Sequence, residues 1–247
     1  MKDMLYHKFL LNLFYGRSMK LLNSEITSQL DSLYESSKKI RHVSQDSDPK
    51  ILSNIYREDT NIVIWQRSLP ETLIKSVDAF VLSNPNFRAS MTLSPETALS
   101  RVSDSIGDPN QLELSENIAE LVDMFCCLFE LKQAGLRLVV LDRAMCTRFH
   151  VDKIPCRLIT TFQGIATEWL PQAAVDRKKL GSGNKGKPDR HSGVYKDQQD
   201  IQRLSSGDVA LLKGELWQDN KDGGLVHRSP DVPADKRRLM LTLDFIS

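Results

Sequence analysis

Residues 146–164 read CTRFHVDKIPCRLITTFQG, and two changes of pattern inside this stretch decide the fold. In extended backbone residues i and i+2 project from the same face, so His150 and Asp152 point together while Val151 turns toward a core. Beyond Pro155 the run CRLITTFQ is rich in β-branched residues and closes on Gly164, as a buried strand does. Two imidazoles and one carboxylate suffice to hold one face of an octahedral ion and leave the opposite face open. The chain has five histidines. The candidate for the second imidazole is His227, in GGLVHRSP (223–230), which follows the strand-like DVALLKG (208–214). His150, Asp152 and His227 are therefore the candidate metal ligands and catalytic residues, provided that the fold unites them. His7, His42 and His191 read as exposed.

Working outward, LRLVVLD (136–142), PCRLITTFQG, DVALLKG and RRLMLTLDF (237–245) are short β-rich runs between turn residues, the pattern of a small sandwich or barrel. Between them lies DRKKLGSGNKGKPDRHSGVYKD (176–197), with few apolar residues, which reads as a long exposed loop. Its basic content offers contact to an anionic substrate or simple solvation. GSGNKG follows no buried strand and opens no helix, which excludes a phosphate cradle.

Upstream, Leu22, Ile26, Leu30 and Leu33 have helical spacing in Leu21–Ile40, and the polar VSQDSDPK ends that helix. NIVIWQ (61–66) predicts a strand, and Ser68 with Pro70 predicts the start of a helix over Leu69–Leu82. Asn84–Gln111, rich in Ser, Pro, Asp and Gly, predicts a loop or hinge and a domain boundary. ENIAELVDMFCCLFELKQAG (116–135) predicts an apolar helix over Leu114–Ala134 closed by Gly135, with Cys126 and Cys127 as core filler. The expected fold class is α+β, a helical N-terminal part packed on one side of a C-terminal barrel. The expected organisation is an N-terminal helical extension (1–48), a mainly helical support region (49–135) and a β-barrel metal-site domain (136–247) with an exposed insertion at 172–203.

At 247 residues, 40% hydrophobic and 26% charged, the chain falls in the globular range with one main core. A formal charge of +1 provides no strong field, so neither nucleic acid nor membrane is an expected partner. Four cysteines are too few for a disulfide scaffold and fit a reducing cytoplasm. Asn12 interrupts the apolar start and no small-residue cleavage site follows, so a signal peptide is not expected; Met19 is an alternative start. No stretch reaches the roughly 20 apolar residues of a membrane span.

The order HxD, a polar insertion, a Gly207-Asp208 turn into a strand, a distal His and an Arg opening the final strand resembles the Fe(II)/2-oxoglutarate-dependent dioxygenase superfamily. That resemblance implies a double-stranded β-helix, also called a jelly roll and shared with cupins. It implies iron on His150, Asp152 and His227, and Arg238 on the distal carboxylate of 2-oxoglutarate, with Arg237 the second choice. Thr160 or Thr242 would add a hydroxyl there. The guanidinium fork suits a carboxylate because it binds through two hydrogen bonds. Met240 stands where the superfamily often places Ser. More narrowly, RFHVD, RLITTFQG, TEWL, GDVALLKG, HRSP and RRLMLTLDF resemble a bacterial domain-of-unknown-function family over about residues 55–247. The implied activity is hydroxylation of a small-molecule or protein substrate of unknown identity, with Trp169 and Trp217 as candidate pocket walls or core residues.

Two other readings stay open on the residues alone. Cys146 and Cys156 bracket the HxD and would favour zinc, giving a closed Cys-His-Asp-Cys site in a metal-homeostasis protein without turnover. A cupin-like binding module with a lapsed metal site is the third.

Overall fold

The computed structural model describes residues 41–246, together with the isolated position Ile26. The helix expected over Leu21–Ile40, His7 and the alternative starts at Met1 and Met19 lie outside the described residues.

Strand alternation on β10 (Arg238–Asp244) organises the molecule. Leu239, Leu241 and Leu243 join one apolar cluster and Met240 joins another, so the strand is buried on both faces. β10 lies within a seven-stranded sheet of order β1-β2-β8-β5-β10-β4-β3. Its members are β1 (His42–Asp46), β2 (Thr60–Trp65), β3 (Arg88–Leu93), β4 (Ala134–Leu141), β5 (Cys156–Gln163), β8 (Val209–Lys213) and β10. β1 and β2 pair in parallel and the other neighbours are antiparallel. Strands from both sides of residue 135 thus share one sheet, since β3 pairs directly with β4. A second sheet of order β7-β6-β9 consists of β6 (Glu168–Leu170), β7 (Gln202–Arg203) and β9 (Val226–Arg228).

On one face of the large sheet sit helices α1 (Glu71–Ser83), α2 (Pro95–Ile106) and α3 (Leu112–Leu128). Phe80, Val102, Leu121 and Phe125 pack there with Leu158, Leu211 and Leu241. On the other face Ile159, Met240 and Leu212 pack with Trp169 and Leu225 from the second-sheet side. Each such aliphatic side chain, fully buried, contributes on the order of 1.5–3 kcal/mol.

The structure departs from several sequence expectations. The segment 84–111 is not a loop: it contains β3 and α2. Its Ser and Gly are caps, with Ser94 and Thr97 forming a capping box, Pro95 at the first turn and Gly107 in the left-handed region (φ 69°). β3 and β1 escaped notice because they are edge strands with mostly polar faces, Ala89 and Leu93 being the only buried residues of β3. Pro70, not Ser68, is the N-cap of α1, with no side-chain cap bond. α3 ends at Leu128, where Glu130 takes φ 52° and Leu131 N–H reaches the Cys126 carbonyl at 2.9 Å. That Schellman-type closure releases Gly135 into β4. Cys126 is core while Cys127 is exposed. The stretch 172–203 carries the four-residue α4 (Asp189–Ser192) and buries Val194 against Phe149, Leu170 and Val226.

Among the described residues no helix is long and apolar enough to cross a membrane.

Candidate metal centre

His150 and His227 face one another because their main chains do. His150 N–H donates to the His227 carbonyl and His227 N–H to the His150 carbonyl, each at 3.0 Å, an antiparallel bridge just beyond β9's edge. Their ring centroids are 4.7 Å apart. Each Nδ1 lies against the carbonyl two residues upstream, Arg148 at 2.9 Å and Leu225 at 3.3 Å. Carbonyls only accept, so Nδ1 carries a hydrogen in both rings and Nε2 of each turns toward Asp152.

Asp152 completes the group. Its Oδ1 is 3.6 Å from His150 Nε2 and its Oδ2 is 3.3 Å from His227 Nε2. The three ligand atoms all lie within 4.8 Å of one another, and this is the group found among the described residues with donors so placed. The loop after Asp152 is held by β8's end: Gly214 N–H donates to the Pro155 carbonyl and Glu215 N–H to that of Asp152, each at 2.8 Å. A Cβ on Gly214 would stand 2.0 Å from the Ile154 carbonyl oxygen, so only glycine lets the two segments approach. Burial alone would push the Asp152 carboxyl up. Hydrogen bonds from His150 and His227 and the charge of Arg157 more than offset it, holding the group below the ordinary carboxylate range. The hydrogen bond to Asp152 pushes His150 up, against burial and Arg157.

Arg157, which the sequence reading did not single out, grips Asp152 Oδ2 through Nη1 at 2.8 Å. Its Nε and Nη2 engage Asp244 at 2.7 and 2.8 Å. Asp244 is thus engaged by Arg157, and no bond joins it to Arg238, on the same strand. Nearby, Glu168 accepts from Arg203 and Arg228 at 2.6 and 2.8 Å, and the Arg228 guanidinium lies 4.4 Å from the Phe149 ring centre. Asp189, from α4, accepts from Phe149 N–H at 2.8 Å. Burial favours the neutral Glu168 carboxyl, but the two arginines overcome it and hold the group low.

A small cavity adjoins the triad, lined by His150, His227, Arg157, Thr167, Met240 and Thr242. Thr167, in its lining, accepts from Arg238 Nη2 at 2.7 Å, and Thr161 accepts from the same nitrogen at 3.2 Å. Arg238 is fully buried, with Nε and Nη1 unpartnered. Burial lowers its guanidinium to about 10, and no carboxylate raises it. A buried cation without a counter-charge costs several kcal/mol. Two idle donors on the partner of Thr167, itself a lining residue of the cavity, fit a carboxylate guest. Arg237, by contrast, is half-buried and donates to the Lys236 carbonyl at 3.1 Å.

Of the two threonine candidates, Thr242 lines the cavity and Thr160 does not. Thr160 pairs with Leu241 and shares a face with Leu158 and Phe162 on the helix side, while Thr161 pairs with Met240 on the site side. A register shift in β10–β5 pairing falls next to this point. Thr161 and Thr167 place their hydroxyls on Arg238, and a one-residue offset in register is what separates Thr161 from Thr160.

The thiolate set does not assemble. Cys156 is buried in the helix-side cluster, its thiol pushed up by burial, and Cys146 is exposed. Pro155 breaks the even spacing that would have aligned Cys156 with Asp152. Trp169 pairs with His227 and packs between the sheets, whereas Trp217 stacks with Tyr56 and Phe129 in the helix-side cluster.

Solved structures similar to this chain include the dioxygenase for auxin oxidation 1 from Arabidopsis thaliana, in complex with 2-oxoglutarate. It has 11% identity and a TM-score of 0.44, covering 84% of this chain and 92% of that one. A dioxygenase for auxin oxidation in rice has 13% identity and a TM-score of 0.42, covering 75% and 72%. A prolyl-4-hydroxylase from Pseudomonas putida has 10% identity and a TM-score of 0.40, covering 80% and 98%. No curated protein matches the chain. The family model described as protein of unknown function (DUF1826) matches residues 46–244, most of the described chain, and the protein belongs to that family.

Proposed function

We propose that the protein is a non-haem Fe(II)/2-oxoglutarate-dependent oxygenase acting on a small-molecule or protein substrate. The observation that carries the reading is the presence, on one side of the large sheet, of a His-Asp-His group and a buried, uncompensated Arg238 whose partner Thr167 lines the cavity beside the triad. The order in which strands visit the two sheets supports a double-stranded β-helix: β4 large, His150 small, β5 large, β6 and β7 small, β8 large, β9 small, β10 large.

His150 Nε2, Asp152 and His227 Nε2 would hold the iron on one face, and Arg238 with Thr161 and Thr167 would receive the distal carboxylate of the co-substrate. When bound, iron and 2-oxoglutarate supply oxygen activation and the two electrons released by decarboxylation. The chain's own contribution is orientation. Backbone carbonyls fix both imidazole tautomers, and Met240 and Ile159 give the cavity an apolar wall. The test is anaerobic loading with Fe(II) and 2-oxoglutarate followed by oxygen, with succinate measured. Succinate above the His227→Ala background is expected, with substrate panels and in uncoupled turnover. No succinate under either regime, despite bound iron, overturns the reading.

A further inference from the structure

We infer that Arg157 is the positioning residue of the triad: tethered to Asp244, it locks the Asp152 carboxylate in the orientation that faces both imidazoles. The inference rests on the metal-site reading above and concerns a residue outside the three-ligand group.

Three observations carry it. First, the register places Arg157 directly opposite Asp244 in the β5–β10 pairing, so the tether is built into the sheet rather than into a loop. Second, the guanidinium divides its hydrogens by edge. Nε and Nη2 form the fork on Asp244 at 2.7 and 2.8 Å, which leaves Nη1 aimed at Asp152 Oδ2 at 2.8 Å. A lysine, with one nitrogen, could not span both carboxylates in this way. Third, the charges do not close without a cation. Asp152 and Asp244 flank a single guanidinium, so two carboxylates face one cation. The cluster carries one net negative charge, suited to a divalent ion. Asp152 lies in a loop following a lone bridge, not in a regular strand, and the Arg157 contact is the shortest its carboxylate makes with a side chain of this group. Outer partners of this kind contribute on the order of 10–100-fold to metal affinity.

Anaerobic Co(II) titration of the full chain, followed by visible absorption, tests this. Wild type and His227→Ala come first. If both bind equally weakly, the metal-site reading fails and this inference falls with it. If wild type binds more tightly than His227→Ala, Arg157→Gln should lose ~10–100-fold in Co(II) affinity with an altered d–d spectrum. Arg157→Lys should fail to restore either, because position and not charge is at stake. Unchanged or tighter binding in a folded Arg157→Gln, or full rescue by lysine, overturns the inference. Should Arg157→Gln not fold, Asp244→Asn, which removes the anchor and leaves the cation on Asp152, should lower affinity and alter the spectrum. An Asp244→Asn protein identical to wild type in both also overturns it.

Discussion

The two faces of the large sheet are built from the same strands and have opposite chemistry. Toward the helices β10 presents Leu239, Leu241 and Leu243 into a purely packed layer; toward the second sheet it presents Arg238, Met240 and Thr242. β5 repeats the division with Leu158 and Phe162 against Arg157, Ile159 and Thr161. One face contributes stability, and the other spends some of it by burying charge. Alternation along each strand is what keeps the two tasks from interfering.

Substitutions on either side sharpen or break that contrast. The largest effect is expected from His227→Ala, which removes one ligand of three. Retained metal should fall to background by elemental analysis after anaerobic loading, while the thermal midpoint without metal changes little. On the helix side Leu241→Ala should cost ~2–5 kcal/mol in denaturant unfolding through a cavity that neighbours cannot fill. Metal stoichiometry should be unaffected in whatever fraction remains folded. A loss of metal in that folded fraction would mean that the faces are coupled after all.

Arg238→Met separates the two tasks at one position. Removing a buried charge that lacks a counter-ion should leave unfolding free energy within about 1 kcal/mol of wild type or raise it. The same protein should lack the thermal shift expected of wild type with 2-oxoglutarate and Fe(II) in the absence of oxygen. The smallest effect is pH-dependent. Glu168 is held below its ordinary value in the folded chain by Arg203 and Arg228, against burial. Its contribution is therefore complete above the unfolded carboxyl's pKa and disappears as pH falls through the lower, folded value. Glu168→Gln should remove a stabilisation on the order of 1 kcal/mol near neutrality and flatten the acid side of the stability curve.

Legibility in the sequence followed the same division. The HxD pair could be read because period-two backbone places i and i+2 together, whereas Arg238 was singled out through the family resemblance. NIVIWQ was legible through its β-branched and aromatic residues. What escaped were features decided by pairing partners. Thr160 and Thr161 are indistinguishable until register is known, and one residue moves a hydroxyl across the sheet. Thr167 matters through Arg238, 71 positions on, and Arg157 through the tether to Asp244, 87 positions on, that aims it at Asp152. The Ser, Pro and Gly of residues 94–107 looked like loop because capping uses the residues that turns use. Edge strands β1 and β3 hide their β character behind polar side chains.

The reciprocal main-chain bonds between residues 150 and 227 have an evolutionary consequence. A hydrogen-bonded antiparallel pair fixes its Cα separation near ~5.5 Å whatever side chains it bears. The gap between the two imidazole-bearing positions is thus a property of the peptide ladder, inherited by any replacement residues. Descendants that trade a histidine for a cysteine, a glutamine or an aspartate alter the hardness and charge of that pair without rebuilding the frame, so a lineage could change its metal preference by single codons.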